Sequence, residues 1–209
     1  MIKTVVAGIG TGVGKTFIAT ILAEALEADY WKPVQAGNLD NTDTDFVQQH
    51  ITNNKTYCHP EVYRLSAPMS PHAAAAKDGI GIDLEKLTVP KTKNHLIIEP
   101  PGGLMVPLNQ TQLNVDVICQ WGLPVILVSK NYLGSINHTL LTARVLKDYA
   151  VNVPGIIFNG EPNPATEEII LNYTGLACIA RINQEQEINK KTVKTHADQL
   201  REKLNVLFS

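Results

Sequence analysis

Residues 2–16 read IKTVVAGIGTGVGKT, an apolar run that breaks into glycines and ends in Gly14-Lys15-Thr16. The run has the composition of a buried strand. The glycines after it allow a tight bend in which backbone N–H groups approach an anion with no Cβ in the way. Lys15 adds a mobile cation for the β- and γ-phosphates, and the Thr16 hydroxyl is of the type that ligates Mg²⁺. The FIATILAEALEA that follows is apolar at helical spacing, so the positive end of a helix points at the same place. Strand, glycine loop and helix in that order imply a bound nucleoside triphosphate. The strict pattern puts glycine five residues before Gly14, where this chain has Ile9 flanked by Gly8 and Gly10.

Outward from that stretch, further apolar segments fit buried parallel strands at 30–34, 96–98, 125–128, 155–158 and 176–179. They are near-continuous Val/Ile/Leu runs, as expected where helices cover both faces of a sheet. Helical patterns lie between them at 17–28, 43–51, 114–121, 135–149 and 164–173. The alternation predicts an α/β fold with a doubly wound, mostly parallel sheet and helices on both faces, its ligands gathered at the carboxyl ends of the strands. With 209 residues, no linker and no repeat, the expectation is one domain over 1–209.

Composition narrows the function classes. Eighteen Lys and Arg against twenty Asp and Glu give a net charge of −2, which does not suggest a nucleic-acid partner. Cys58, Cys119 and Cys178 have no CxxC spacing, so neither a zinc site nor a disulfide framework is indicated. Cys119 and Cys178 read as small core residues. The chain opens directly on a strand pattern without a signal-peptide pattern, and no apolar run approaches the ~20 residues that span a bilayer. The expectation is a soluble cytoplasmic protein. The last stretch, NKKTVKTHADQLREKLNVLFS, is a basic amphipathic helix, read as docking its apolar side on the sheet, with a membrane surface as the alternative.

The remaining chemistry sits at strand ends. Glu99 closes HLIIE before Pro100-Pro101-Gly102-Gly103, where nucleotide enzymes hold Mg²⁺. Lys32 follows Tyr30-Trp31 and precedes a Pro-initiated turn; it is either a solvated surface residue or a cation at the ligand-facing edge. In Asn41-Thr42-Asp43-Thr44-Asp45, one carboxylate suits a helix cap and the other a metal, and spacing leaves open which is which. Asn159-Gly160 ends GIIF as either a plain turn or an adenine reader. Ser135 is a candidate N-cap whose helix start, beside Gly134, suits a carboxylate.

Together these residues resemble the dethiobiotin synthetase family. The loop GIGTGVGKT is similar to the longer loop of that family, usually GTDTxVGKT. The blocks WKPVQAG, TDTDF, SAPMSPHAAA, IIEPPGGLMVPL, LGSINHTLLT and FNG match its blocks in the same order. The resemblance implies an ATP-dependent ring closure in biotin synthesis, with 7,8-diaminononanoate, CO₂ and MgATP as substrates. It implies that Gly12, Val13, Gly14, Lys15, Thr16 and Phe17 wrap the phosphates and that Thr16, Asp45 and Glu99 hold Mg²⁺. Lys15 and Lys32 are the implied catalytic cations. Asn159, Gly160, Ala180, Arg181 and Ile182 would line the nucleoside, beside Asp45, Glu99, Pro100, Pro101 and Gly102. Lys32, Ala36, Gly134 and Ser135 would meet the diamine, the last two from the partner subunit of a homodimer. Three positions depart from the family pattern: Gly10 in place of Asp, Ala36 in place of Ser or Thr, and Pro100-Pro101, which lack N–H donors.

Two other classes compete. A ParA/MinD-like ATPase switch shares the fold and the loop, but its signature lysine would stand at Gly10; the basic terminal helix is the feature in its favour. A glutamine-dependent amide ligase needs a further domain for which 209 residues leave no room. Under the synthetase reading, alanine at Lys15 or Lys32 is expected to cut turnover while leaving folding intact.

Overall fold

The computed structural model describes residues 1–208. In chain order the elements are β1 (Lys3–Gly8), α1 (Lys15–Leu26), β2 (Asp29–Trp31), β3 (Val34–Ala36), α2 (Asp43–His50), β4 (Cys58–His59), β5 (Tyr63–Leu65) and α3 (Pro71–Lys77). They continue with β6 (Leu96–Ile98), α4 (Asn114–Trp121), β7 (Val125–Lys130), α5 (Ser135–Asp148), β8 (Gly155–Asn159), α6 (Pro164–Thr174), β9 (Cys178–Ile182) and α7 (Lys190–Leu207). Seven strands form one sheet in the order β4-β2-β6-β1-β7-β8-β9, and each of its pairings is parallel. The chain steps from β1 outward to β2 on one side, and through β7, β8 and β9 on the other. With right-handed crossovers, α1 then covers one face and α4, α5 and α6 the opposite one. The reversal falls at β1, so its carboxyl end, where the glycine loop leaves, is the switch point at which ligands collect.

Burial explains the sequence pattern. Val5, Val6 and Ala7 of β1 and Val125 to Val128 of β7 are at most 1% exposed, because both faces of these central strands are covered. Helix α1 is buried almost all round, since it is sandwiched between the sheet and a second layer made by α2 and α7. Helix α7 presents Val193, Ala197, Leu200 and Leu204 to that contact, at spacings of four, three and four. Each of the larger three contributes about 1.5–3 kcal/mol on burial. The terminal helix thus docks mainly on α1, not on the sheet as expected, and its apolar side is not available to a membrane. No helix among the described residues is long and apolar enough to cross a bilayer.

Other expectations need correction. The strand expected at 30–34 breaks at Lys32-Pro33: proline cannot donate to the ladder, and β3 leaves the main sheet to pair with β5 in a two-stranded one. The Pro33 carbonyl instead accepts from the N–H groups of Val62 and Tyr63. The last strand begins at Cys178, two residues later than expected. Cys119 lies on the solvent side of α4 and is exposed, while Cys178 is half-buried.

Candidate active site

The phosphate loop is shaped by its glycines. Gly12 and Gly14 have φ of 73° and 89°, a region that residues with a Cβ rarely adopt. A Cβ on Gly14 would lie 2.1 Å from the Asn159 amide nitrogen, so the loop closes against β8 only with glycine there. Asn159 Nδ2 donates to the Val13 carbonyl at 2.9 Å. The asparagine therefore clamps the loop, a role that the sequence reading did not include. On the other side, Gly103 bridges to Gly8 and packs against Gly10, which brings the loop after β6 up to the phosphate loop.

Four side chains converge beyond the end of β1. Thr16 Oγ1 lies 2.9 Å from Asp43 Oδ1 and 2.9 Å from Glu99 Oε1. Lys32 Nζ sits 2.5 Å from Asp43 Oδ2 and 3.1 Å from Glu99 Oε1. Glu99 Oε2 accepts from the Tyr30 hydroxyl at 2.8 Å. Lys32 and Glu99 are both buried, at the ends of adjacent parallel strands. Lys32 is thus a buried, ion-paired cation at a strand end and not a solvated surface residue. Lys15 Nζ reaches back to the Gly10 carbonyl at 2.8 Å.

The electrostatics follow from burial against charge. Burial alone pushes the Lys32 ammonium down, but the Glu99 and Asp43 carboxylates outweigh it and hold the pKa above the ordinary lysine value. Burial raises the Asp43 carboxyl, and Lys32, the Thr16 hydrogen bond and Lys15 reverse this to a net lowering. Tyr30, fully buried and next to Glu99 and Asp43, is held well above the usual phenol range and stays a donor.

Lys15 is the exception. Burial, which the Glu99 and Asp43 carboxylates only partly offset and Lys32 reinforces, lowers its pKa to about 8. A polyphosphate in the loop favours the ammonium, so its pKa rises on binding. Nucleotide affinity is then full below pH 8 and falls as pH rises through about 8, by up to roughly tenfold per unit until the bound-state pKa is reached. Calorimetric titration with ADP from pH 7 to pH 9.5 is expected to show this loss together with proton uptake. Lys15→Arg, whose guanidinium stays charged, should abolish the slope. A flat wild-type profile would contradict it.

The two aspartates are assigned differently from what the family resemblance implied. Asp45, expected at the metal, is the N3 residue of a capping box on α2. Its Oδ2 accepts from the Thr42 N–H at 2.8 Å and from the Thr42 hydroxyl at 2.8 Å, and its own N–H donates back to Thr42 Oγ1. Asp43, on the first turn of the same helix, faces Thr16 and Lys32. Three residues after an N-cap is the distance from which a side chain reaches back to the cap, so Asp45 is occupied and Asp43 is free to point at the loop.

The other sequence-marked residues are more dispersed. The N-cap of α5 is Gly134, with φ of 102°, and not Ser135, which is the first helical residue, fully buried, with its N–H donating to the Tyr132 carbonyl. Arg181 Nε binds Glu167 at 2.5 Å, which turns the guanidinium toward α6 and over the Phe158 ring. Ala36 ends β3, half-buried. A cleft of about 390 Å³ runs from Gly10 and Thr11 past Met105 and Val106 to His138 and Leu141.

A parallel sheet with a glycine loop at its switch point, a lysine and threonine opening the next helix, and paired acids facing them define a P-loop nucleotide-binding protein. The family model described as an AAA domain matches residues 3–192. Solved structures agree on the fold: MinD from Pyrococcus furiosus superposes with a TM-score of 0.64 at 15% identity, covering 97% of this chain and 99% of that one. A ParA family ATPase from Chlorobium tepidum gives 0.62 at 15% identity, covering 99% of this chain and 97% of that one. Sequence relatives are nearer. The ATP-dependent dethiobiotin synthetase BioD of Christiangramia forsetii is 45% identical over 199 residues, 95% of this chain and 96% of its own length. That of Cytophaga hutchinsonii is 46% identical over 201 residues, 96% of this chain and 97% of its own. The chain belongs to the ATP-dependent dethiobiotin synthetase family.

Proposed function

We propose that this chain, acting as a single nucleotide-binding unit in the cytoplasm, uses ATP to close the ureido ring of dethiobiotin from 7,8-diaminononanoate and CO₂. The observation that carries this reading is the gathering of Lys32, Thr16, Asp43 and Glu99, with Lys15 within electrostatic reach of them, beyond the carboxyl ends of β1, β2 and β6. One amine of the diamine takes up CO₂ as a carbamate, and a carbamate oxygen attacks the γ-phosphorus with ADP leaving. The second amine then attacks the carbamoyl carbon, closing the urea and releasing phosphate. The physical difficulty is to bring an anionic carbamate against an anionic triphosphate, and fixed cations remove it. Lys15 neutralises the transferring phosphoryl group from the loop side. Lys32, anchored by two carboxylates at the neighbouring strand end, orients the carbamate.

Thr16 Oγ1, Asp43 Oδ1 and Glu99 Oε1 are hard oxygen donors brought together around one point, and this donor set fits Mg²⁺. Among the described residues no group of three or more His, Cys, Asp or Glu could hold a metal ion, so this set of one hydroxyl and two carboxylates would need phosphate oxygens or water to complete its coordination. When bound, the ion offsets charge on the β- and γ-phosphates. Asn159 retains its carbonyl for the adenine amino group, and Ala180, Arg181 and Ile182 offer the nucleoside mainly backbone. The aliphatic wall of the cleft at Leu104, Val106 and Leu141 suits the hydrocarbon chain of the diamine. A homodimer would bring the α5 start at Gly134 to the substrate of the partner subunit. The switch reading loses the apolar face that a membrane-bound terminal helix would need, since that side of α7 packs against α1.

Incubation of purified protein with the diamine, bicarbonate and MgATP is expected to give the cyclic urea by mass spectrometry, one ADP per ring closed. ATP hydrolysis without a urea product would refute the reading.

A further inference from the structure

The carboxylate of Glu99 has two oxygens with different surroundings. Oε1 faces Thr16 and Lys32, while Oε2 accepts the hydroxyl hydrogen of Tyr30 at 2.8 Å. Tyr30 is fully buried in the middle of β2 and pairs in register with Ile97 of β6. Side chains two apart on a strand share a face, so Ile97 and Glu99 point the same way, toward α1. The Glu99 N–H also donates to the Trp31 carbonyl at 3.0 Å, which fixes the backbone of the acid against β2. The tyrosine hydroxyl therefore reaches Glu99 from the neighbouring strand on the same face of the sheet, and it meets the carboxylate oxygen that Thr16 and Lys32 leave free.

We propose that Tyr30 is a positioning residue for the divalent cation: its hydroxyl holds Glu99 Oε2, so that Oε1 alone is presented to the cation beside Thr16 and Asp43. This inference rests on the reading of Thr16, Asp43 and Glu99 as cation ligands. A buried carboxylate oxygen without a donor is costly, and the group would rotate to recover one from Lys32 or Thr16. Either rotation removes the oxygen that the cation needs. A second-sphere donor of this kind acts through the ligand that it orients, and its loss costs roughly tenfold in metal affinity.

Tyr30→Phe removes one oxygen and keeps the ring in the core. The test is Mn²⁺ binding to the full-length protein saturated with ADP, read by the loss of the free Mn²⁺ electron paramagnetic resonance signal. Tyr30→Phe is expected to raise the Mn²⁺ dissociation constant roughly tenfold, with ADP affinity in EDTA and the far-ultraviolet spectrum unchanged. In turnover, the half-saturating Mg²⁺ concentration should rise while kcat at saturating Mg²⁺ stays near wild type. In a Glu99→Gln background the tyrosine substitution should add no further loss. Unchanged Mn²⁺ affinity in Tyr30→Phe, with Glu99→Gln strongly weakened, would overturn the role of Tyr30 alone. Wild-type Mn²⁺ affinity in both Glu99→Gln and Thr16→Ala would remove the cation site itself. Equal weakening of ADP with and without metal would show a distorted pocket and also overturn the proposal. Should Tyr30→Phe fail to fold, Tyr30→Leu, which is smaller than tyrosine and has no donor, serves in its place under the same criteria.

Discussion

Replacing Lys32 by alanine is expected to lower kcat by roughly 10²- to 10³-fold, the loss that follows removal of one fixed charge contact to a transition state. The ammonium is held 2.5 Å from Asp43 and 3.1 Å from Glu99, so it is already in place when the anions arrive and needs no reorganisation. The same geometry changes the expectation that folding is untouched. Lys32 is 6% exposed and is the counter-charge of two carboxylates, one of them nearly fully buried. Removing one partner of such a cluster costs about 3–5 kcal/mol. Lys32→Ala should therefore melt earlier than wild type, and Mg²⁺ with ADP should restore more of its melting temperature than it adds to the wild type, because the cation neutralises the same two acids. Single-turnover kinetics measured well below the melting temperature separate the two effects. Near-normal kcat under those conditions would refute the role given to Lys32, whatever happens to the melting point.

The part of the site that could be read from sequence is the part written in local pattern. Strand, glycine loop and Lys15-Thr16 are contiguous, and each residue type has one mechanical reason to be there. Glu99 and Lys32 were legible as polar residues terminating apolar runs, and parallel pairing of β2 with β6 brings the two runs side by side. The choice between Asp43 and Asp45 was also present in the spelling: Thr42 and Asp45 have the spacing of a capping box, which commits the second aspartate to the helix start. The family resemblance pointed to Asp45 and overrode that signal. Tyr30 was not legible, since a tyrosine within a buried strand reads as core, and its partner lies 69 positions away in sequence. The break of the strand at Pro33 was signalled by proline itself. The pairing of β3 with β5 was not, because three-residue strands are too short for a period to show. Cys119 was misplaced for a similar reason: on an eight-residue helix, one small apolar residue does not define which side faces the core.

Asparagine at Asp43 and at Asp45 should have opposite consequences, although the two residues stand two apart on one helix. Asp43→Asn keeps the size of the side chain but removes the charge that faces Thr16 and balances Lys32. The expected result is a loss of kcat/KM of roughly 10²-fold or more, with a higher Mg²⁺ requirement, because a neutral amide is a poor substitute for a hard anionic ligand. Asp45→Asn leaves that cluster intact and weakens the reciprocal bonds to Thr42 at the helix start. It should lower stability by about 1 kcal/mol, as loss of a capping contact does, with kcat within about twofold of wild type. Measuring kcat against Mg²⁺ concentration and the denaturation midpoint for both variants decides the matter. If Asp45→Asn is the catalytically damaged one, α2 must turn by nearly half a revolution when nucleotide binds, since two residues on a helix are separated by about 200°, or about 160° the short way round. Such a turn would break the capping box and should then appear as exposure of Thr42 to hydrogen exchange in the nucleotide complex. An Asp43 effect with Thr42 still protected leaves the helix where it stands, with the first aspartate at the reacting phosphates and the second holding the helix that carries it.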